Sequence, residues 1–189
     1  MLIVLLASGN GSLAQSIIDA KQSGELNLEI LELISDKDCF ALERAKSAGI
    51  PTQCLPMIHD RSAWDNQLFE VVSKLNPDLV VSVGFMRILA APFVSKFPTI
   101  NTHPALLPNF PGAHAVRDAL NSGAQITGST VHWVDEGIDT GAIIRQREVA
   151  VLPEDDQGSL HERIKIVERA LIVETLKNFI ANGLPRRNQ

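Results

Sequence analysis

The sequence is poor in features that mark several classes of protein. It has two cysteines in 189 residues, Cys39 and Cys54, without the spacing or neighbouring histidines of a disulfide framework or a zinc site. Acidic residues outnumber basic ones, 22 to 17, and the lysines and arginines are scattered, which argues against a protein built to grip nucleic acid. Its composition, 45% hydrophobic and 21% charged, is that of an ordinary globular protein.

Long apolar runs are also missing. The opening run, residues 2–7, is too short to cross a bilayer, lacks a basic flank and is followed at once by a glycine turn. It therefore predicts a buried strand, and we expect a cytoplasmic protein with no membrane partner. No repeat, low-complexity tract or linker divides residues 1–189, and their number fits one domain.

The first two-thirds of the chain alternate apolar, strand-like runs with helical patterns. The predicted strands are residues 2–7, 28–34, 52–55, 79–83 and 99–102, and the predicted helices are residues 12–21, 39–48, 61–75 and 91–96. Because continuous apolar strands joined through helices are buried on both faces, they indicate a parallel sheet between two layers of helices.

The pattern changes after residue 112. A helix at 115–121 precedes two longer, more alternating strands at 126–134 and 142–151, and a helix at 156–181 follows them. We expect the two strands to add antiparallel pairs at one edge of the sheet. The predicted fold class is a single-domain, doubly wound, Rossmann-like α/β fold whose sheet is mostly parallel, with antiparallel C-terminal edge strands.

The segment GNGSLA, residues 9–14, fits G-x-G-x-x-[GA] between a strand and a helix. Glycines allow close approach to the backbone, and a helix N-terminus offers free N–H groups, so a phosphate site is plausible. Ser12 could cap the helix and also donate to the phosphate. A dinucleotide would further require an acid such as Glu32 or Asp36. A tight turn without any ligand stays open, whereas the absence of G-x-x-x-x-G-K-[ST] excludes an NTPase loop.

The segment INTHPALLP, residues 100–108, sets Asn101 and His103 on one face of a predicted strand that Pro104 must end. In a parallel sheet such strand ends form the crevice that binds ligands. The histidine can act as an acid or base near neutral pH, and the asparagine can hold a developing oxyanion. A supporting carboxylate is expected nearby, and Asp139, in a glycine-rich loop, is the best candidate.

No serine or cysteine stands in a nucleophile elbow, and no metal motif occurs in the sequence. The three side chains therefore predict attack on a carbonyl without a covalent enzyme intermediate. Each residue taken singly is often structural at such a position, so the hypothesis depends on their combination.

Five segments together resemble the folate-dependent formyltransferases, in the order and at the spacing of that family. They are SGNGS at 8–12, GFMRIL at 84–89, INTHPALLPNFPG at 100–112, GSTVHWVDEGIDTG at 128–141 and ERAL at 168–171. The Asn-x-His-Pro-x-Leu-Leu-Pro segment followed by Asp-x-Gly is the specific part of the match. The glycine turn alone is not specific.

The resemblance implies transfer of a formyl group from 10-formyltetrahydrofolate, as co-substrate and without a metal, to the amine of glycinamide ribonucleotide. It implies that Asn101 holds the formyl oxygen and that cationic His103 stabilises the tetrahedral oxyanion. Asp139 is then expected to support His103 and to help move a proton, through water, from the attacking amine to the departing nitrogen.

The resemblance also implies the binding residues. Gly11 and Ser12 match the phosphate contacts of the family, and Lys165 and Glu168 match positions that reach the phosphate and the ribose hydroxyls. A surface ion pair is the competing interpretation for both. Leu13 departs from relatives that carry asparagine there, which removes one possible phosphate contact.

For the folate, the resemblance implies a wall made by one segment and a loop that closes it. The wall residues are Met86, Arg87, Ile88 and Leu89, and the loop of residues 135–139 contributes Asp135 and Asp139. Met86, Ile88 and Leu89 could equally be core residues. His132 is expected to lie behind the reacting groups and support Asp139, or simply to be buried.

Rival functions remain at this point. Formyltetrahydrofolate deformylase shares the three central residues, and methionyl-tRNA formyltransferase shares the Asn-x-His-Pro segment. A dinucleotide-binding oxidoreductase or a pure nucleotide-binding module would use the glycine turn alone. The expected partners are small-molecule substrates, with a homodimer as one open assembly state.

Overall fold

The computed structural model describes residues 1–185, in which strands and helices alternate. In chain order they are β1 (Leu2–Ala7), α1 (Ser12–Gln22), β2 (Glu29–Ser35), α2 (Phe40–Ser47), β3 (Thr52–Cys54), α3 (Arg61–Leu75), β4 (Leu79–Ser82), α4 (Ala91–Lys96), β5 (Thr99–His103), α5 (Ala115–Asn121), β6 (Ile126–Trp133), β7 (Ile143–Ala150) and α6 (Gln157–Asn182). The strands follow the order β3-β2-β1-β4-β5-β6-β7 across the sheet. The chain divides into two compact units, Met1–Ile100 and Asn101–Gln189, and β5 crosses the boundary.

The first unit contains the parallel part of the sheet. Strand β1 pairs in parallel with β2 and with β4, and β2 pairs in parallel with β3. Residues 3–7 of β1 are completely buried, as a central strand covered on both faces requires. Asp60 is the N-cap of helix α3, and its side chain accepts from the Ala63 N–H at 3.0 Å. Trp64 of this helix is fully buried.

The second unit contains the antiparallel part. Strands β6 and β7 pair from Ile126 opposite Ala150 to His132 opposite Ile143. Helix α6 starts with a capping box, in which Asp156 accepts from the Ser159 N–H at 2.7 Å and Ser159 accepts from the Asp156 N–H at 3.0 Å. A core cluster of this unit joins α5, β7 and α6 through the buried side chains of Val116, Val149, Leu160 and Ile164.

The predicted fold class is confirmed: the sheet is mostly parallel, with an antiparallel pair at its C-terminal strands. Element boundaries differ from the predicted ones by at most one residue at either end. The most useful difference is in β5, which extends one residue further than predicted and ends at His103, directly before Pro104. The proline ends the strand, as expected from its missing N–H.

The expectation that Ser12 caps α1 was wrong. Gly11 occupies the N-cap position with a φ of 76°, no side chain caps the helix, and Ser12 is the first helical residue. The reason is steric, because a Cβ on Gly11 would lie 2.6 Å from the Cβ of Ala41. Only glycine fits both the left-handed backbone and this close approach.

Candidate active site

The end of β5 places Asn101 and His103 on one face of the strand, two residues apart. His103 is buried, with 4% of its surface exposed, and Asn101 is half-buried. Both side chains take part in a polar cluster that also contains His132 and Asp139, and all four residues belong to the second unit. The structure thus brings together the three residues that the sequence predicted to react.

Both ring nitrogens of His103 face an acceptor. Nδ1 lies 3.3 Å from Oδ2 of Asp139, and Nε2 lies 2.7 Å from the carbonyl oxygen of Phe110. A neutral imidazole has only one N–H, so either tautomer leaves one nitrogen lone pair facing an oxygen. The surroundings therefore suit the imidazolium form, which donates to both oxygens and is held in one orientation.

Burial opposes this charge and lowers the pKa of His103 below its ordinary value. The Phe110 carbonyl and the negative charge of Asp139 pull the pKa of His103 back upwards, and His132 adds a small lowering. A proton on His103 is consequently expensive in the free protein. Any new negative charge beside the ring would make that proton more favourable.

Asp139 is the centre of the cluster. Its Oδ2 accepts from the Gly112 N–H at 2.8 Å, and its Oδ1 lies 3.5 Å from Nε2 of His132. Burial alone would raise the pKa of Asp139, but the contact with His132, the Gly112 N–H and the charge of His103 outweigh it and lower the pKa to about 2. Asp139 is therefore a carboxylate at neutral pH, and its φ of 55° is unusual for a residue other than glycine.

His132, on β6, connects the other members. Its Nδ1 lies 2.8 Å from the Trp133 carbonyl oxygen, which can only accept, so Nδ1 carries a proton. In the neutral ring, Nε2 is then free to accept from the Asn101 Nδ2 at 3.3 Å. This contact orients the Asn101 amide and leaves its second N–H for another acceptor.

The side chain of Asp135 makes the hydrogen bonds that fix the loop of residues 135–139. Asp135 is exposed, and its Oδ1 accepts from the Gly137 N–H at 3.0 Å and from the Thr140 hydroxyl at 2.8 Å. Ile138 is 56% exposed at the tip of this loop. The Asp135 carboxylate therefore stabilises the loop that carries Asp139, and the apolar Ile138 is left facing solvent.

On α6 the two predicted ribonucleotide contacts have different surroundings. Lys165 pairs at the surface with Glu162, Nζ to Oε1 at 2.7 Å, as in the competing interpretation of an ion pair. Glu168 is 4% exposed and has no hydrogen-bond partner among the residues that the structure describes. Burial raises the pKa of Glu168 to about 7, with Lys165 and Arg169 opposing the shift. A buried carboxyl without a partner is suited to an incoming polar ligand.

In the first unit, backbone hydrogen bonds from α2 and α1 fix the glycine turn of residues 8–12. The Ala41 N–H donates to the Gly9 carbonyl oxygen at 3.1 Å, and the Gln15 N–H donates to the Gly11 carbonyl oxygen at 2.8 Å. Ser12 is half-buried, and within residues 1–185 its hydroxyl has no hydrogen-bond partner. The turn therefore keeps a free hydroxyl at the start of a helix of 11 residues.

The predicted folate wall also lies in the first unit and is mixed in character. Met86 and Ile88 are 64% and 57% exposed, whereas Leu89 is buried in the core. Arg87 Nε contacts Oδ2 of the buried Asp36 at 2.6 Å. Two apolar side chains at the surface fit a ligand wall, and Asp36 is occupied by the arginine instead of standing ready for a ribose.

Several contributing residues were missed from the sequence. Phe110 acts through its carbonyl and Gly112 through its N–H, and backbone groups leave no residue-specific trace. The prolines and glycine of residues 108–112 were the available signal for a fixed turn. Arg44 acts through contacts with a distant segment that only the fold brings close. Asp36 was considered only as the acid of a dinucleotide site, and its contact with Arg87 was not foreseen.

A metal centre finds no support in the described part of the chain. Within residues 1–185 there is no group of three or more histidine, cysteine, aspartate or glutamate side chains that could hold a metal ion. Nor does any helix in this range combine the length and apolar character that a membrane crossing requires.

Comparison with known proteins gives consistent matches. Residues 1–176 match the family described as formyl transferase. The chain is 46% identical over 186 residues to phosphoribosylglycinamide formyltransferase of Mycobacterium tuberculosis strain H37Rv, covering 96% of this chain and 86% of that protein. It is 40% identical over 176 residues to the Escherichia coli K12 protein of the same name, covering 90% and 83%. A crystal structure of glycinamide ribonucleotide transformylase 1 from Symbiobacterium toebii superimposes with a TM-score of 0.94 at 36% identity, covering all of this chain and 91% of that one.

Proposed function

The chain belongs to the formyl transferase family, and from that premise we propose how its residues carry out the reaction. It is a transferase that moves the formyl group of 10-formyltetrahydrofolate to glycinamide ribonucleotide in purine biosynthesis. The deformylase and oxidoreductase alternatives are not supported. The observation that carries the proposal is the cluster in which buried His103 meets half-buried Asn101 and Asp139 at the end of β5.

The reaction is an addition followed by an elimination. The amine nitrogen of the ribonucleotide forms a bond to the formyl carbon, and the carbonyl electron pair moves to oxygen, which gives a tetrahedral oxyanion. The bond between that carbon and N10 of the folate then breaks. One proton leaves the attacking nitrogen and one arrives at N10, so the protein is regenerated unchanged.

Asn101 and His103 stabilise the oxyanion. With His132 orienting its amide, Asn101 donates its second N–H to the formyl oxygen. His103 donates from Nε2, because a full negative charge is a stronger acceptor than the Phe110 carbonyl that this nitrogen contacts in the free protein. Since burial makes the imidazolium costly before reaction, much of this stabilisation is specific to the transition state.

Asp139 orients His103 and assists the proton transfer. Its low pKa keeps it ionised, so it can accept a proton from the positively charged amine of the intermediate through a water molecule. The Gly112 N–H donates to the carboxylate and holds it in place during the transfer.

We assign the ribonucleotide contacts to four residues. Gly11 and Ser12 bind the phosphate, supported by the left-handed Gly11 and the unpartnered Ser12 hydroxyl at the start of α1. Glu168 accepts from the ribose hydroxyls, supported by its burial without a partner in the described chain. Lys165 reaches the phosphate only by exchanging its present contact with Glu162.

The folate contacts are assigned to the segment of Met86, Arg87, Ile88 and Leu89 and to the loop of residues 135–139. In the first unit, exposed Met86 and Ile88 provide apolar surface for a flat ring. Buried Leu89 contributes through its backbone. Asp135 keeps the loop in shape, and Asp139 belongs to both the folate site and the reacting cluster.

Three broader attributes are part of the proposal. Residues 1–189 work as one formyltransferase domain, supported by the family match over residues 1–176. We also propose that the protein acts in the cytoplasm. A homodimer is the assembly state to be tested against a monomer, and sedimentation velocity separates the two.

The test is a spectroscopic turnover assay with 10-formyltetrahydrofolate, run with and without glycinamide ribonucleotide. We expect formyl loss that depends on the ribonucleotide and yields its formylated product. Equal formyl loss without the ribonucleotide would identify a deformylase instead. No loss in either case would refute the assignment of the cluster.

A further inference from the structure

Arg44, on α2, contacts the glycine turn of residues 8–12 and also the first turn of α1. Its Nε donates to the Asn10 carbonyl oxygen at 2.9 Å, and its Nη2 donates to Oδ1 of the same residue at 3.2 Å. Its Nη1 donates to Oε1 of Gln15 at 3.3 Å, and the guanidinium lies 4.6 Å from the centre of the Phe40 ring. All three nitrogens have acceptors, so the cation is committed to these contacts.

The contact with the Asn10 carbonyl has a consequence for the next residue. The peptide unit between Asn10 and Gly11 is planar, and in its trans form the C=O and the N–H point in opposite directions. By holding the Asn10 oxygen, Arg44 directs the Gly11 N–H away from α2. That N–H is one of the free donors at the start of α1.

The neighbouring peptide units are held by backbone groups. The Ala41 N–H fixes the Gly9 carbonyl, and the Gln15 N–H fixes the Gly11 carbonyl. Asn10 and Gly9 are both exposed, so neither is held by burial. Among the carbonyls of Gly9, Asn10 and Gly11, the Asn10 carbonyl is the one held by a side chain within the described residues. A single substitution can therefore release it.

We propose that Arg44 is a positioning residue of the phosphate site, which presents the Gly11 N–H to a phosphate monoester without touching the ligand. This inference rests on the proposed function, because it takes the glycine turn as the phosphate contact. The effect comes from geometry: a guanidinium can hold the carbonyl and the side-chain oxygen of Asn10 together, whereas a lysine ammonium cannot reproduce this fork.

The test compares Arg44→Gln and Arg44→Lys with Lys46→Gln, an exposed control on the same helix that removes the same charge. We expect both Arg44 variants to raise the KM for the ribonucleotide about tenfold, the effect of losing roughly one charge-assisted hydrogen bond. The kcat and the KM for the formylfolate should stay within about twofold, and Lys46→Gln should resemble the wild type. Thermal unfolding confirms that each variant is folded.

Calorimetric titration with ribose 5-phosphate separates this inference from the proposed function, because it needs no turnover. Weaker binding by both Arg44 variants supports the positioning role even if the wild type transfers no formyl group. A wild-type KM and affinity in Arg44→Lys would overturn it, because charge alone would then suffice. An equal loss in Lys46→Gln, or a fall in kcat at unchanged KM, would overturn it as well.

Discussion

The glycine turn of residues 8–12 and the cluster around Asp139 obtain their polar contacts from different parts of the chain. The turn relies on backbone groups and one hydroxyl, held by contacts from α2. The cluster relies on two histidines, an asparagine and a carboxylate, whose charges depend on one another. A backbone N–H does not titrate, so the protein groups of the turn bind a phosphate without changing their own protonation. The side chains of the cluster, in contrast, can gain or lose protons during a reaction.

The largest effect is expected from removing a reacting side chain. His103→Ala and Asp139→Asn should each lower kcat by about 100-fold or more, because they remove oxyanion stabilisation or the group that orients it. Binding of ribose 5-phosphate should be unchanged if the turn and the cluster have separate tasks. Steady-state kinetics and calorimetry measure the two quantities.

Matched controls are available for both changes. His59→Ala alters an exposed histidine and Asp118→Asn a half-buried aspartate outside the cluster, and both should leave kcat near the wild-type value. Near-wild-type turnover in both His103→Ala and Asp139→Asn would contradict the assignment. Loss of phosphate binding in these variants would contradict the division of tasks.

A second prediction concerns pH and the buried acid Glu168. Its pKa rises from 4.5 in the unfolded chain to about 7 in the folded one, so the folded state holds the extra proton between these values. The stability linked to this proton is complete below pH 4.5 and is lost as the pH rises through 7, a change of about 3 kcal/mol. Glu168→Gln cannot titrate and should lack this decline.

Chemical denaturation from pH 4.5 to 8, without ligands, measures the difference between Glu168→Gln and the wild type. The advantage of the variant should grow with pH across this window. Glu154→Gln changes an exposed acid before α6 and should follow the wild-type curve. A constant offset between Glu168→Gln and the wild type would show that Glu168 does not titrate in this range.

A third prediction separates steric fit from backbone strain in the turn. Gly11→Ala places a Cβ 2.6 Å from the Cβ of Ala41 in a residue with positive φ, whereas Gly24→Ala meets the same positive φ with no atom within 4 Å. Gly24→Ala should lose about 1 kcal/mol of stability. Gly11→Ala should lose more and also raise the KM for the ribonucleotide about tenfold or more.

Denaturation and steady-state kinetics together test this pair. An unchanged ribonucleotide KM in a folded Gly11→Ala protein would remove the turn from the binding site. Equal losses of stability in the two variants would show that the close approach to Ala41 is easily relieved.

The same contrast explains which features could be predicted from the sequence. Asn101, His103 and Asp139 were identifiable because their chemistry resides in their side chains, and the proline after His103 marked the strand end. The contacts of Phe110 and Gly112 were not, because every residue has a carbonyl and almost every residue an N–H. The capping role given to Ser12 was wrong because Gly11, packed against the distant Ala41 of α2, occupies the N-cap position.

The smallest effect is expected from Ser12→Ala. The hydroxyl has no partner in the described chain, so its removal should leave the free energy of unfolding nearly unchanged while taking one hydrogen bond from the bound phosphate. We expect the KM for the ribonucleotide to rise about fivefold, with the formylfolate KM unchanged. Ser23→Ala, which removes a hydroxyl at the other end of α1, should change neither KM. A Ser12→Ala protein with altered formylfolate KM would mean that the turn is not devoted to the ribonucleotide, and the contrast with the Asp139 cluster would need a different basis.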